Sequence, residues 1–383
     1  MRTGVEGGAG FESAGAALEA NTVQLVDMIE SVYGAQAASS FGDLWRDHIA
    51  FLIDYTRALA DDDADAQTLA QDQLADYVAA FSALLAGANP NLPESVVADL
   101  IAEHVQQLQE VAHFSIGEYS KAYPALRHTY AHMYTIGDGL ARAIILQFRD
   151  TLTGGDMAFS PAADLRISLD RFLGEHTILA MIAMRSGLTR TAGQEAAADA
   201  LAQNTTDLSE AIGRIYGGAA RNAFAGLWRH HTDAYLRYVA GVAADDQDLR
   251  TTALDQLRDY QTDLTNFLAV ANPNLDAGDL TALLRTHTEQ LVAQADAYAA
   301  GDYDAAYDVA HEAFAHSGTL AEALASAIAT QFPEMFPDTA TAEPRPPRPL
   351  ADAGLILVIV SLLTMPPYAR LAAAPPWRAP RRR

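Results

Sequence analysis

Residues 33–48 read YGAQAASSFGDLWRDH, and residues 216–231 read YGGAARNAFAGLWRHH. Tyr-Gly, Phe, Leu-Trp-Arg and a final His fall at identical spacing, so the second stretch restates the first. Extended outward, the match runs without a gap from Asn21 to His104 on one side and from Asn204 to His287 on the other. Roughly two in five positions are identical in that window, the signature of an internal repeat. Ala88-Asn89-Pro90-Asn91-Leu92 recurs as Ala271-Asn272-Pro273-Asn274-Leu275, and three histidine pairs survive: His48/His231, His104/His287 and His132/His316. What both copies keep can be separated from what drifted.

The period inside each copy is helical. In copy 2, Leu165, Leu169, Phe172, His176, Leu179 and Ala183 stripe a helix over 162–187. A second, over 193–215, ends at Gly217-Gly218. Phe224, Leu227, His231, Tyr235 and Tyr238 stripe a third. A fourth, over 246–270, stops at Asn272-Pro273. Leu280, Leu283, His287 and Leu291 mark a fifth, and a sixth begins near Asp302 and carries His316. No segment alternates with period two, and short connections make successive helices antiparallel. The fold class is therefore all-α: two tandem antiparallel bundles of five to six helices each. The chain divides into a glycine-rich disordered start (1–10), copy 1 (11–150), a linker (151–161), copy 2 (162–334), a Pro-rich spacer (335–349) and a tail (350–383). Copy 1 has only the residues before Asn21 in which to place a counterpart of the 162–187 helix. It therefore lacks that helix; either the chain starts late or copy 1 borrows cover from copy 2. In the Asn-Pro-Asn-Leu turn, Pro stops one helix and the second Asn is expected to cap the next.

The chain has 383 residues, 50% of them hydrophobic, enough for two domains with real cores. Its net charge of −24, with Lys121 the single lysine, disfavours a nucleic-acid partner, which requires clustered cations against phosphate. The absence of cysteine excludes disulfides, thiolate metal sites and thiol nucleophiles. No signal-peptide pattern is visible at the start. Gly354–Met365 is apolar, shorter than the roughly 20 residues a membrane span needs, and is followed by Arg370, Arg378 and Arg381–Arg383. The arrangement fits a C-terminal membrane anchor with the bundles outside the cell, or a disordered end.

The retained histidines lie on apolar stripes. His48 runs with Phe41, Leu44, Leu52 and Tyr55; His104 with Val97, Leu100, Leu108 and Val111; His132 with Ile136 and Leu140. In copy 2, His176 joins His231, His287 and His316. In copy 1, His128 lies one turn before His132, an i, i+4 pair suited to one metal ion. Each copy thus offers about four imidazoles, and imidazoles on facing helices suit zinc or copper, one ion per bundle. The competing reading is a core histidine held by a carbonyl, tyrosine or carboxylate. Paired Glu-x-x-His motifs, a His-Glu-x-x-His motif, a Gly-x-Ser-x-Gly elbow and phosphate loops are all absent. Asp72/Asp76 and Asp255/Asp259 recur at i, i+4 and read as solvated faces. Trp45/Trp228 and Tyr33/Tyr216 read as packing.

The pattern Asn-Thr, Ile, Tyr-Gly, Phe, Leu-Trp-Arg-x-His, Tyr, then Leu-x-x-Tyr, Ala-Asn-Pro-Asn-Leu, His, and a late His before Ala-Ile and Gln-Phe resembles a helical repeat of bacterial secreted proteins. That repeat is sometimes found ahead of a domain named after the copper amine oxidase N-terminal domain. Phe41, Trp45, His48, Tyr55, Asn89, His104, His132 and Gln147-Phe148 carry the resemblance, with their partners in copy 2. It implies an extracellular helical module in tandem. The expectation is a non-enzymatic, surface-exposed tandem bundle holding a transition metal in each copy. The alternatives are a structural or adhesion module with packing histidines and, last, a metalloenzyme.

Overall fold

A computed structural model describes residues 10–152 and 155–338. The tail expected as an anchor lies outside the described residues, as does most of the Pro-rich spacer. Copy 1 comprises α1 (Phe11–Tyr33), α2 (Ala35–Ala60), α3 (Ala64–Ala88), α4 (Glu94–Phe114) and α5 (Tyr119–Gln147). A 3-10 turn, Gly155–Phe159, leads into copy 2: α6 (Pro161–Thr189), α7 (Gln194–Tyr216), α8 (Gly218–Ala244), α9 (Gln247–Ala271), α10 (Ala277–Ala300) and α11 (Tyr303–Gln331). The described residues contain no strand, and none of their helices is long and apolar enough to cross a membrane. The fold is all-α, in two tandem bundles.

The duplicated motifs sit at the joints. Tyr33-Gly34 and Tyr216-Gly217 make one-residue turns between α1 and α2 and between α7 and α8. Gly34 and Gly217 have φ of 83° and 88°, the left-handed region in which a side chain is strained. Asp63 and Asp246 each cap the following helix, accepting from Ala66 N at 3.0 Å and Leu249 N at 2.9 Å.

A polar clasp closes one end of each bundle. Tyr33 Oη donates to Gln147 Oε1 at 2.9 Å and accepts from Asn89 Nδ2 at 3.1 Å, while Gln147 Nε2 donates to Ala88 O at 2.9 Å. Tyr216, Gln331, Asn272 and Ala271 repeat it at 2.8, 3.1 and 2.9 Å. Asn89 Oδ1 also accepts from Asn91 N, and Asn272 Oδ1 from Asn274 N. The second Asn therefore does not cap the next helix: α4 is preceded by Pro93 and α10 by Asp276. It lies too early for that, and its side-chain amide reaches across to Ala143 O in copy 1 and Ala327 O in copy 2.

In copy 2, α6 packs on α7, α8, α10 and α11. In copy 1, α1, α2, α4 and α5 keep the equivalent mutual contacts with no counterpart of α6 among the described residues. The copies join through equivalent pairs, α1 with α11 and α5 with α7, and α6 turns an outer face to α5. There Tyr134 Oη donates to Asp170 Oδ2 at 2.6 Å, and Arg127 binds Glu175 at 3.0 Å and Asp207 at 2.5 Å. Burial pushes the Asp170 carboxyl up to about 6, against the opposing pull of the Tyr134 hydrogen bond. α6 thus packs against α5 of copy 1 as well as within its own bundle. Asn204 is fully buried and its Nδ2 donates to Phe172 O and to Glu175 Oε2 on α6; its counterpart Asn21 is exposed.

Candidate metal centre

Three helices of copy 2 aim imidazoles at one point: His176 from α6, His231 from α8 and His287 from α10. Their exposures are 2%, 0% and 4%. One ring nitrogen from each lies within 4.8 Å of the others, and the ring centroids are 5.4–5.6 Å apart. Among the described residues, this is the one such group of three or more His, Asp or Glu. A tetrahedral or trigonal ion with nitrogens at about 2.0–2.1 Å would bring those atoms to about 3.3–3.6 Å.

The residues before each histidine explain its placement. Leu173, Trp228 and Leu284 precede the three imidazoles by three positions each. With Leu169, Phe224 and Leu264 they line an apolar cavity of about 20 Å³ one turn along the bundle. Tyr260 stacks on His231 at 4.5 Å and 17°, and Trp228 lies edge-on to His176 at 5.0 Å. The same stacking recurs in copy 1, where Tyr77 covers His48 at 5.1 Å and 20°.

Both ring nitrogens of His176 and of His231, and Nε2 of His287, are buried without a protein hydrogen-bond partner; so are Trp228 Nε1 and Tyr260 Oη. An unpartnered buried polar atom costs about 1–3 kcal/mol, so five such nitrogens on three neighbouring rings are a concentrated cost. Burial, and next the neighbouring imidazoles, hold all three histidines below their ordinary range: His287 at about 4, His176 and His231 well below 6.5. They are neutral at pH 7, with lone pairs free for a cation.

The other expected ligands lie elsewhere. His316 Nε2 donates to Leu283 O at 2.8 Å, and His132 Nε2 repeats this with Leu100 O at 3.0 Å. Each thereby ties the last helix of its copy to the helix before it, and is not part of a cluster of three. His128 is exposed, because the face that His132 turns to Leu100 does not carry its neighbour one turn back into the core. His48 is buried with Nδ1 on Trp45 O at 3.2 Å, and burial lowers it to about 4. His104 has Nδ1 buried without a protein partner and is lowered to about 3, by burial and then by His48 and His132. Yet His48, His104 and His132 do not converge as the copy 2 trio does: His132 is turned to Leu100 O, and the described residues of copy 1 include no counterpart of the helix that brings His176. Asp72, Asp76, Asp255 and Asp259 are exposed, as solvated faces should be.

Sequence pattern alone assigns no role to Tyr260, Tyr77 or Asn204. The recurring Asp-Tyr pairs 76–77 and 259–260 were the available signal for the two tyrosines. No protein-family model matches the chain, and no curated protein or solved structure matches it. The geometry therefore carries the functional argument.

Proposed function

We propose that this chain is a non-enzymatic tandem helical-bundle protein that holds one transition-metal ion in copy 2, on His176, His231 and His287. The observation that carries this is the meeting of three neutral, buried imidazoles from three helices, five of whose nitrogens have no protein partner. An ion there would take one nitrogen from each ring, at most three of the five, and pin α6, α8 and α10 together. Imidazole donors suit zinc or copper. No carboxylate joins the three imidazoles, and all three are buried, which favours retention of an ion over chemistry on a substrate. In this reading the module works at the cell surface, in keeping with its resemblance to secreted repeats, its acidic charge and its arginine-bearing tail.

The experiment is metal analysis after loading protein purified without a His tag with Zn(II) or Cu(II). Replacing His231 and His287 together by Ala should remove the bound ion. Retention of the ion by that variant would defeat the proposal.

A second reading, a structural or adhesion module with packing histidines, draws on His132 and His316, whose imidazoles are spent on carbonyls in both copies. Under it, loading leaves no bound metal.

A further inference from the structure

The charge of the site goes further than its ligand type. We propose that the copy 2 trio selects a univalent imidazole-binding cation, cuprous ion or its chemical analogue silver(I), over divalent zinc. This rests on the metal-centre reading above.

The cluster contains no carboxylate: its members are His176, His231 and His287 alone. Three neutral imidazoles bring no negative charge to an ion. The carboxylates on the same helix are already engaged. Glu175 binds Arg127 and Asn204, and Asp170 accepts from Tyr134. The walls one turn away are wholly apolar, formed by leucines, Phe224 and Trp228. Transfer of an ion into such a medium costs free energy that grows with the square of its charge, so a bare dication is penalised about four times as heavily as a monocation. Structural zinc sites offset this with thiolates or carboxylates and a fourth ligand. A univalent d10 cation accepts two or three imidazoles without either requirement.

The test uses the full chain, purified without a His tag and freed of metal. Silver(I), which needs no reductant, and Zn(II) are each titrated against it and against the variant carrying both His231→Leu and His287→Leu. Bound ion per chain and the thermal midpoint are read, and the variant's signal is subtracted to remove binding at methionines. Circular dichroism confirms that the variant keeps its helix content. The expected result is one trio-dependent silver ion per chain, with an apparent Kd at least about tenfold lower than that of zinc. Silver should also be retained when zinc is added in excess. Zinc binding at the trio as tightly as silver, or displacing it, would overturn the charge argument and leave the metal centre standing. No trio-dependent binding of either ion would overturn both.

Discussion

Replacing His176 by Leu separates a ligand from a packing residue more sharply than an alanine scan would. The side chain is 2% exposed, and neither ring nitrogen has a protein partner. It lies on the α6 stripe with Leu165, Leu169, Leu173 and Leu179, so leucine continues an existing apolar face. Removing an unsatisfied buried polar group in favour of an apolar one of similar size should return part of the ~1–3 kcal/mol that each such group costs. Loss of the edge-on contact to Trp228 at 5.0 Å takes back about 0.5–1 kcal/mol. The net expectation for metal-free protein is a gain of about 1 kcal/mol, or about 2–4 °C in the melting midpoint of a bundle this size. With metal the order reverses. A site-specific ion at 100 times its Kd stabilises the wild type by about 2.7 kcal/mol, and the variant, left with two of the three imidazoles, by less. Calorimetric melts of both proteins, stripped and loaded, give the four numbers required. A metal-free variant destabilised by 2 kcal/mol or more, with the metal-induced shift intact, would refute the reasoning.

Three further outcomes follow from the same geometry. His287 is lowered from 6.5 to about 4, so the unfolded chain takes up a proton that the fold resists. Stability is therefore full above pH ~6.5 and falls as pH drops toward 4, by about 3 kcal/mol for this group at ~1.36 kcal/mol per unit. Urea titrations at pH 7 and pH 4.5 should show it, and His176→Leu should flatten the slope. Gln331→Ala deletes both clasp bonds in copy 2, to Tyr216 and Ala271, and should cost about 1–3 kcal/mol, matched by Gln147→Ala in copy 1. Equal, negligible effects on chemical denaturation would remove the clasp from the stability account. Arg127→Met leaves Glu175, 4% exposed, without its cation and should cost about 3–5 kcal/mol; a double change with Glu175→Gln should recover much of it in the same denaturation assay.

The bundle architecture was legible because helical periodicity and the duplication point the same way. Helices expected over 162–187, 193–215 and 246–270 are found at 161–189, 194–216 and 247–271. The duplication also picked out residues that the fold brings together: of the three histidine pairs, two supply His231 and His287. It could not show convergence. His316 lies on an apolar stripe as convincing as that of His287, yet the rotation of α11 about its axis turns its ring to Leu283 O. Periodicity fixes a face, and the depth and twist of a ring along that face depend on long-range packing. His176 is the converse case. Only copy 2 has it, so comparison of copies could not select it, and its importance appears once α6 lies between α8 and α10. The Arg127–Glu175–Asp207 bridge between the copies is likewise invisible in local pattern, because its members are 48 and 80 residues apart. The clasp was half legible: Tyr-Gly, Asn-Pro-Asn-Leu and Gln-Phe recurred as separate motifs, and the fold makes them one structure.

The central claim is that copy 2 holds an ion and copy 1, with no counterpart of α6 among its described residues, does not. Elemental analysis of untagged, metal-loaded and desalted full-length protein tests it most directly. One ion per chain, lost on replacing His231 and His287, is the result predicted. No ion, or two ions of which one persists in that variant, would contradict it.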